Sequence, residues 1–249
     1  MHDVPAAEAR RFDSHGYALI PGLFASNGLT QLQTWTDEVQ AWPDTAGMWM
    51  KYYEDHMTQA NQRILTRLEN FEPYHEGFSK LFHVGVLGTI ATRLLGEPAI
   101  LFKDKINFKL PGADGFRAHQ DMQAGWQRYA SIYVTAMVAI DPCTMANGCL
   151  EMAHYEHRRV ALGQDWEPLP EDSLPYHPLE MQPGDAVFFD SYVPHRSGPN
   201  RTQNARRVLY VTYNAAREGD HRRQYYTDKR ASYPPDIERK AGQSYRFRV

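Results

Sequence analysis

The sequence predicts a mainly β protein with supporting α-helices, and two observations lead to this prediction. At least six short β-prone segments follow residue 99, with turn signals and no helices between them. Before residue 99, the apolar residues recur at helical spacing instead. Because antiparallel strands need no crossover helices, this order favours an antiparallel barrel or sandwich over a parallel α/β sheet.

Residues 1–98 are expected to form mainly helical support and a lid. Ser26 is a candidate N-cap for a first helix that ends before Pro43, and a second helix is predicted over residues 78–95. The stretch 48–71 between these helices is rich in Trp, Tyr and Met without clean periodicity. We therefore expect it to be a loop that covers a site.

The strands are predicted from alternation and from turn residues. In residues 100–110 four polar side chains (Lys103, Lys105, Asn107 and Lys109) alternate with apolar ones, which predicts a half-buried strand. The other predicted strands are 129–140, 149–152, 179–181, 186–189 and 207–213. The Asn147-Gly148 turn predicts hairpin contact between 129–140 and 149–152. Without a repeat or linker, residues 1–249 are interpreted as one domain with its β core at 99–214.

Composition narrows the function classes. With 42% hydrophobic and 12% aromatic residues the chain is typical of globular proteins. Its longest apolar stretches fall short of the roughly 20 residues of a membrane span, and the first residues lack an apolar signal core, so we expect a cytoplasmic protein without a membrane partner. Cys143 and Cys149 are too few for a disulfide framework. The 11 histidines and 15 tyrosines instead direct attention to a metal site or an aromatic pocket.

The C-terminal segment 215–249 is basic, with eight Lys and Arg against three acidic residues from His221 onward. Cations interleaved with tyrosines are one feature of single-stranded nucleic-acid binding. No nucleic-acid module precedes the segment, so we expect no such partner. The simpler interpretation is a segment that packs over the domain through its tyrosines, with a homodimer contact as an open alternative.

The first candidate for chemistry is the set His119, Asp121 and His195. Two imidazoles and one carboxylate on one face of a metal leave three coordination positions open, which suits non-haem Fe(II). Side chains two apart on a strand point the same way, so His119 and Asp121 can reach one ion while a second strand brings His195. Because a His-x-Asp triplet also arises by chance, the other residues that accompany it must decide whether it is a metal site.

Other His and carboxylate patterns in the sequence are weaker candidates for a metal site. His154-x-Glu156 has the same spacing, but it lies in a loop where a surface cluster is the simpler interpretation. Three Glu-x-x-His triplets, typical of di-iron sites on facing helices, begin at Glu72, Glu151 and Glu218. Pro73 and Gly219 interrupt two of them, and the remaining one follows a predicted strand. The sequence contains no phosphate-binding loop and no serine-hydrolase elbow.

The deciding context is Arg206, which lies 11 residues after His195. It accompanies three other features: the His119-x-Asp121 pair, the His195-x-Ser197 element after Pro183-Gly184-Asp185, and the Asn147-Gly148 turn. In these features together with Arg206, the sequence resembles the phytanoyl-CoA dioxygenase family of Fe(II)/2-oxoglutarate oxygenases. The resemblance is close over residues 100–214 and loose over the N-terminal helices. One departure is His154-Tyr155-Glu156-His157, which stands where the family often has Gly-Ser-His.

The resemblance implies a double-stranded β-helix, that is, a jelly-roll or cupin-like core, with Fe(II), 2-oxoglutarate and O2 as cofactors. It implies that His119, Asp121 and His195 bind iron and that the planar fork of Arg206 binds the distal carboxylate of 2-oxoglutarate. Further contacts to this cosubstrate are expected from Asn107, Tyr133, Thr135 and Ser197. The implied reaction hydroxylates an aliphatic C–H bond and converts 2-oxoglutarate to succinate and CO2.

The substrate is expected to be small and polar. Trp126, Tyr129, Trp49 and Tyr52 are candidates to surround a cationic ammonium group, with simple core packing as the alternative. Arg67 and Lys105 are candidates to bind an anionic head group. Residues 67–71 and 103–107 resemble family members that hydroxylate organophosphonates, including 2-aminoethylphosphonate and its trimethylammonio analogue.

Three alternatives stay open at this point. One is the hydroxylation of another small metabolite or natural product within the same family. A second is a zinc-type hydrolase or isomerase, which would not need Arg206. The third is a non-catalytic binding module on a cupin-like barrel.

Overall fold

The computed structural model describes residues 4–245, so Arg246 and Arg248 of the basic segment and the first three residues lie outside it. The helices are α1 Ala6–His15, α2 Asn27–Ala41, α3 Glu76–Val84, α4 Val86–Leu95 and α5 Arg222–Ser232. The strands are β1 Tyr17–Ile20, β2 Met50–Asp55, β3 Arg63–Glu69, β4 Ala99–Lys109, β5 Phe116–His119, β6 Tyr133–Ala139, β7 Leu150–Ala153, β8 Tyr176–Leu179, β9 Ala186–Asp190, β10 His195–Ser197 and β11 Arg206–Ala215.

These strands form two antiparallel sheets. The larger sheet has the order β1-β9-β6-β11-β4-β3-β2, and the smaller has the order β5-β10-β7-β8. Neighbours in each sheet come from distant parts of the chain, as in β4, which pairs with β11 over ten residue positions. This is the jelly-roll arrangement. The predicted mainly β fold with supporting helices is therefore confirmed.

The helices cover one face of the larger sheet. Ile106 and Phe108 of β4 and Leu209 and Val211 of β11 belong to the same buried apolar cluster as the core residues Phe78, Phe82, Leu87 and Ile90 of α3 and α4. Because side chains alternate across a strand, the other residues of β4 and β11 point into the space between the two sheets. The helices thus leave the inner face of the sheet for the site.

The structure corrects the predicted covering loop at residues 48–71. This stretch contains β2 and β3, an antiparallel hairpin that extends the larger sheet beside β4. Its pattern was misleading because β3 is buried on both faces, with Leu65 and Leu68 on the helix side and the charged residues Arg67 and Glu69 also buried. A strand of this kind shows no alternation of hydropathy.

Two further predictions of local structure are wrong. The helix predicted over 78–95 is interrupted at Gly85, where the backbone is extended and an added Cβ would lie 2.3 Å from the carbonyl oxygen of Leu81. The predicted hairpin is also absent, since β6 pairs with β9 and β11 whereas β7 pairs with β8 and β10. The Asn147-Gly148 turn ends a short 3-10 helix and carries the chain from one sheet to the other.

The C-terminal segment packs through its tyrosines, as the sequence predicts. Tyr225 and Tyr226 of α5 are buried. The Tyr226 hydroxyl donates a 2.9 Å hydrogen bond to the carbonyl oxygen of Asp104, and Arg222 approaches the Asp104 carboxylate to 2.6 Å. These contacts therefore fix the helix against β4. A homodimer contact stays a prediction, and within the described range no helix has the length and apolar character needed to span a membrane.

We predict that Gly148→Ala lowers the free energy of unfolding by about 2 to 4 kcal/mol. Gly148 has φ +73°, and an added Cβ would lie 2.0 Å from the carbonyl oxygen of Gly198. Gly22→Ala is the matched control, because Gly22 has φ +61° but open space around it, so it should cost only about 1 kcal/mol. Denaturant unfolding measures both, and equal losses would contradict a steric role for Gly148.

Candidate active site

The three predicted metal ligands meet at one end of the smaller sheet. His119, the last residue of β5, lies directly opposite His195, the first residue of β10, with ring centroids 4.4 Å apart. Asp121 was expected to continue the strand, but it begins a 3-10 helix instead. Gln120 between them is still extended, so Asp121 joins the same group, and the candidate ligand atoms of the three residues lie within 4.8 Å of one another.

Backbone carbonyls orient both imidazoles. Nδ1 of His119 lies 2.6 Å from the carbonyl oxygen of Arg117, and Nδ1 of His195 lies 3.0 Å from that of Val193. A carbonyl oxygen can only accept, so Nδ1 carries the proton and Nε2 keeps its lone pair for a metal. The geometry and the donor set therefore fit a divalent iron ion.

The charge states of the three residues also suit metal binding. Burial, with His195 nearby, lowers the pKa of His119 to about 3, and burial lowers the pKa of His195. Burial alone would raise the pKa of Asp121, but the nearby His195 and Lys105 hold it below its ordinary value. At neutral pH the set is therefore two neutral imidazoles and one carboxylate, the protonation states that ligands require.

Arg206 is a buried cation with unused hydrogen-bond donors. It starts β11 and is 1% exposed. Its Nε and Nη1 atoms have no hydrogen-bond partner within the described residues. Because burying unpaired donors is costly, this guanidinium fits a site that receives an anion. A carboxylate matches its planar fork, so the observed state of Arg206 fits 2-oxoglutarate.

Lys109 lies beside Arg206 and was missed as part of this site. The two residues are cross-strand partners on β4 and β11. Nζ of Lys109 donates to Oγ of Ser197 at 2.8 Å and to the carbonyl oxygens of Gly148 and Gly198. Since the Ser197 oxygen accepts from Lys109, its own hydrogen is free to point elsewhere. Burial, with Arg206 nearby, lowers the pKa of Lys109 to about 7.

The other predicted cosubstrate residues lie in different surroundings. Asn107 lines the cavity described below, and its buried Oδ1 has no partner in the described part of the chain. The Tyr133 hydroxyl donates to the carbonyl oxygen of Trp126 at 3.0 Å, and Oγ1 of Thr135 lies 2.9 Å from Oγ1 of Thr212. Tyr133 and Thr135 are absent from the cavity wall, where Tyr210 stands instead. Tyr210 lies four residues after Arg206 on the same face of the strand, and this spacing was the sequence signal that could have identified it as a cavity residue.

A cavity of about 650 Å³ extends from the triad to α5. Its wall carries six Lys and Arg side chains, and four of them come from β3, β4 and α5, namely Arg67, Lys103, Lys105 and Lys229. The predicted half-buried strand is therefore wrong on one point: the polar face of β4 is not solvated but faces this cavity. Burial, with Lys103 nearby, lowers the pKa of Lys105 to about 7.

One buried carboxylate, Glu69, organises these cations. Its Oε2 lies 2.6 Å from Nζ of Lys229 and 3.8 Å from Nζ of Lys103, and its Oε1 lies 3.0 Å from Nε of Arg67. Burial would raise the pKa of Glu69, but Lys103, Lys229 and Arg67 hold it well below its ordinary value. Together with Lys105, the wall has a clear excess of positive charge.

The four predicted substrate aromatics separate into two groups. Trp126 and Tyr129 line the cavity. Trp49 instead packs against Trp42, with ring centroids 4.4 Å apart, in the apolar core. Tyr52 lies behind the wall, where the guanidinium of Arg67 sits 4.8 Å from the centre of its ring.

Most of the ring faces at the cavity are already occupied by cations of the chain itself. Nζ of Lys103 lies 5.4 Å from the ring centres of both Trp126 and Tyr225. Nζ of Lys105 lies 4.4 Å from the ring centre of Tyr210. These contacts satisfy the cation–π attraction that a substrate cation would otherwise use.

Two parts of the wall were not predicted. Tyr225 and Lys229 come from α5, whose basic, tyrosine-rich composition was the only signal. Trp166, in the loop between β7 and β8, also lines the cavity. Its φ is +66°, which is unusual for a bulky residue, and its N–H donates to the carbonyl oxygen of Gln123 at 2.8 Å. Nothing in the sequence marks Trp166 for this position.

Comparison with known proteins agrees with this geometry. Residues 12–208 match the family model "Phytanoyl-CoA dioxygenase (PhyH)". The chain belongs to the phytanoyl-CoA dioxygenase family. It is therefore an Fe(II)- and 2-oxoglutarate-dependent dioxygenase, as the resemblance implied.

Two similar members of this family act on phosphonates according to their names. The chain is 38% identical over 244 residues to a 2-aminoethylphosphonate dioxygenase of Uncultured bacterium HF130_AEPn_1, and the aligned region covers 94% of this chain and 91% of that protein. It is 40% identical over 227 residues to a methylphosphonate hydroxylase of Gimesia maris, covering 90% and 85%. Among solved structures, EctD from S. alaskensis with 2-oxoglutarate and 5-hydroxyectoine superimposes with a TM-score of 0.72 at 21% identity, covering 86% of this chain and 77% of that one.

We predict that His119→Ala and His195→Ala each weaken Fe(II) binding by about 100-fold or more, because each removes one of only three protein ligands. The control is His177→Ala, since His177 is exposed on β8. Anaerobic equilibrium dialysis measures the affinity, and unchanged binding in both triad variants would contradict this metal site.

The lowered pKa of Lys109 predicts a pH dependence for 2-oxoglutarate binding. Lys109 is charged below pH about 7 and neutral above it, and a dicarboxylate favours the charged form. The affinity for 2-oxoglutarate should therefore fall several-fold from pH 7 to about 9, by no more than tenfold per pH unit. Calorimetry on Mn(II)-loaded protein measures this. Lys109→Arg should bind with a flat profile, and a profile identical to the wild type would assign the effect to another group.

Proposed function

We propose that this dioxygenase hydroxylates a small alkylphosphonate at the carbon bonded to phosphorus. The observation that carries the proposal is the excess of positive charge beside the triad, where Arg67, Lys103 and Lys229 share the single carboxylate of Glu69 and Lys105 lines the same cavity. A phosphonate carries up to two negative charges on three oxygens, which suits several charge-assisted hydrogen bonds at once. The names of the two phosphonate-oxidising relatives support the same substrate class.

In this proposal His119, Asp121 and His195 hold Fe(II), and Arg206 binds the distal carboxylate of 2-oxoglutarate with a hydrogen bond from Ser197. Bound iron, 2-oxoglutarate and O2 together supply the oxidation of the C–H bond. The chain itself positions the substrate and excludes water. A zinc hydrolase on the same triad would leave the unpaired donors of Arg206 without a purpose.

In this proposal the cations hold the head group close to the triad. Lys105 lies near enough to Asp121 to lower its pKa, and both residues line the cavity. A phosphonate bound to Lys105 and Arg67 therefore has its first carbon as the nearest C–H bond to the triad. In methylphosphonate this is the only carbon, so hydroxylation at that position is consistent with the relative of that name.

The nature of the remaining substituent also follows from the wall. A trimethylammonio group has no N–H donors and depends on aromatic faces. The faces of Trp126, Tyr225 and Tyr210 already lie against Lys103 or Lys105. The cavity therefore supports a phosphonate with a simple alkyl or aminoalkyl chain better than one with a quaternary ammonium group.

We predict that small phosphonates stimulate succinate formation and that Arg67→Met and Lys105→Met raise the KM for the phosphonate about tenfold or more, since each removes a charged hydrogen bond. The KM for 2-oxoglutarate should stay within about twofold, whereas Arg206→Met should raise that KM instead. The control is Arg63→Met, because Arg63 is exposed on the same strand as Arg67 and outside the cavity. Wild-type enzyme that forms no extra succinate with any small phosphonate would exclude the proposed substrate class.

A further inference from the structure

One cavity carboxylate, that of Asp228, is left without a cation. Asp228 comes from α5 and is half-buried in the cavity wall. The Tyr129 hydroxyl donates to its Oδ2 at 2.7 Å, and Nε2 of Gln224 donates to its Oδ1 at 2.7 Å. Both donors are neutral. Among residues 4–245 there is no ion pair to Asp228 within 4.0 Å, in contrast to Glu69, which has three.

The hydrogen-bonding capacity of Asp228 is also only half used. An ionised carboxylate accepts about four hydrogen bonds, and the two described donors occupy one position on each oxygen. Burial and the bond to Asp228 raise the pKa of Tyr129 to about 12. The proton therefore stays on the phenol, so Tyr129 is the donor in this hydrogen bond. A ligand with a positive charge and N–H donors would complete this group.

The ring of Tyr129 points to the same ligand. The other four cavity tyrosines each lie against a cation of the chain, namely Lys105 at Tyr210, Lys103 at Tyr225, and Arg239 at both Tyr233 and Tyr245. In the described residues no Lys or Arg lies over the Tyr129 ring. Arg128, an exposed residue that also lines the cavity, acts on the Tyr129 hydroxyl instead. The Tyr129 ring packs against Phe102, Tyr225 and His221. Tyr129 and Asp228 thus provide, side by side, a ring without a Lys or Arg over it among the described residues and a carboxylate with unused acceptor positions.

We propose that Asp228 and Tyr129 form a binding subsite for a primary ammonium group, so that the preferred substrates are aminoalkylphosphonates. This inference rests on the proposed function and specifies its substrate class. The phosphonate contacts the cations of β3 and β4, and the ammonium group at the other end of the same molecule contacts Asp228. A primary ammonium group is favoured over a quaternary one because its N–H groups can donate to the open positions on the carboxylate.

The test compares 2-aminoethylphosphonate with ethylphosphonate, which has the same carbon skeleton without the ammonium group. In the wild type we expect kcat/KM to be about tenfold or more higher for the amino compound, through KM, as for one charge-assisted hydrogen bond. Asp228→Asn keeps the size and the acceptor for Tyr129 but removes the charge. It should abolish this preference while ethylphosphonate turnover stays within about twofold of the wild type.

Two further variants complete the design. Asp220→Asn is the matched control, because Asp220 is an exposed acid just before α5 and outside this cavity, and it should keep the wild-type preference. Asp228→Ser serves as a second test of the charge, with thermal unfolding to show that each variant is folded. A wild type that uses both phosphonates equally, or folded Asp228 variants that keep the preference, would overturn the ammonium subsite and leave the phosphonate proposal standing. A wild type that uses neither phosphonate would overturn both.

Discussion

The buried carboxylate of Glu69 is the interaction on which the rest of the cavity depends. It contacts Arg67 of its own strand, Lys103 of β4 and Lys229 of α5. Buried cations at this density would repel one another and lose their hydration, so without a central anion their energetic cost would be high. Glu69 offsets part of that cost. It also links the C-terminal helix to the sheet, so the same contact that gathers the cations closes the cavity above them.

The two faces of the larger sheet explain where this arrangement can exist. On β4 and β11 the outward residues, such as Ile106 and Leu209, pack in the core against the helices. The inward residues on the same strands include Lys105, Lys109, Arg206 and Tyr210, which are cross-strand neighbours in register. A change of register by one residue would exchange the two sets. The helices therefore specify the position of the cations as firmly as any contact inside the cavity does.

The sequence predicted the part of the site that short spacings define. Asp121 follows His119 by two residues and Arg206 follows His195 by 11 residues. The strands β5 and β10, which carry the two histidines, were not among the segments predicted from alternation and turn residues. Lys229 and Trp166 were not predicted as wall residues, and Lys109 was not predicted as the neighbour of Arg206. Alternating lysines look the same on a solvated strand as on one that faces a polar cavity, because the difference arises from β3 and α5, which cover the strand from distant positions.

The errors in the fold have a similar origin. The stretch 48–71 was expected to be a loop since β3 is buried on both faces and carries Arg67 and Glu69 inside the protein, which removes the period-two signal. The prediction of a hairpin after β6 was wrong because the Asn147-Gly148 turn reverses the chain locally but does not determine the sheet to which the next strand belongs. Only the pairing of β7 with β10 decides that question, and their partners are more than forty residues apart.

The charge of the cavity also connects substrate binding with the stability of the fold. Three wall cations share the carboxylate of Glu69, and Arg206 keeps two buried donors without partners in the described residues. These groups are partly uncompensated in the protein alone, as expected where a site is organised for its ligands before they arrive. An anion that enters then gains its affinity in part by relieving repulsion that already exists. Binding and folding are therefore coupled through the same residues, because the cations that cost stability are those that the proposed phosphonate head group contacts.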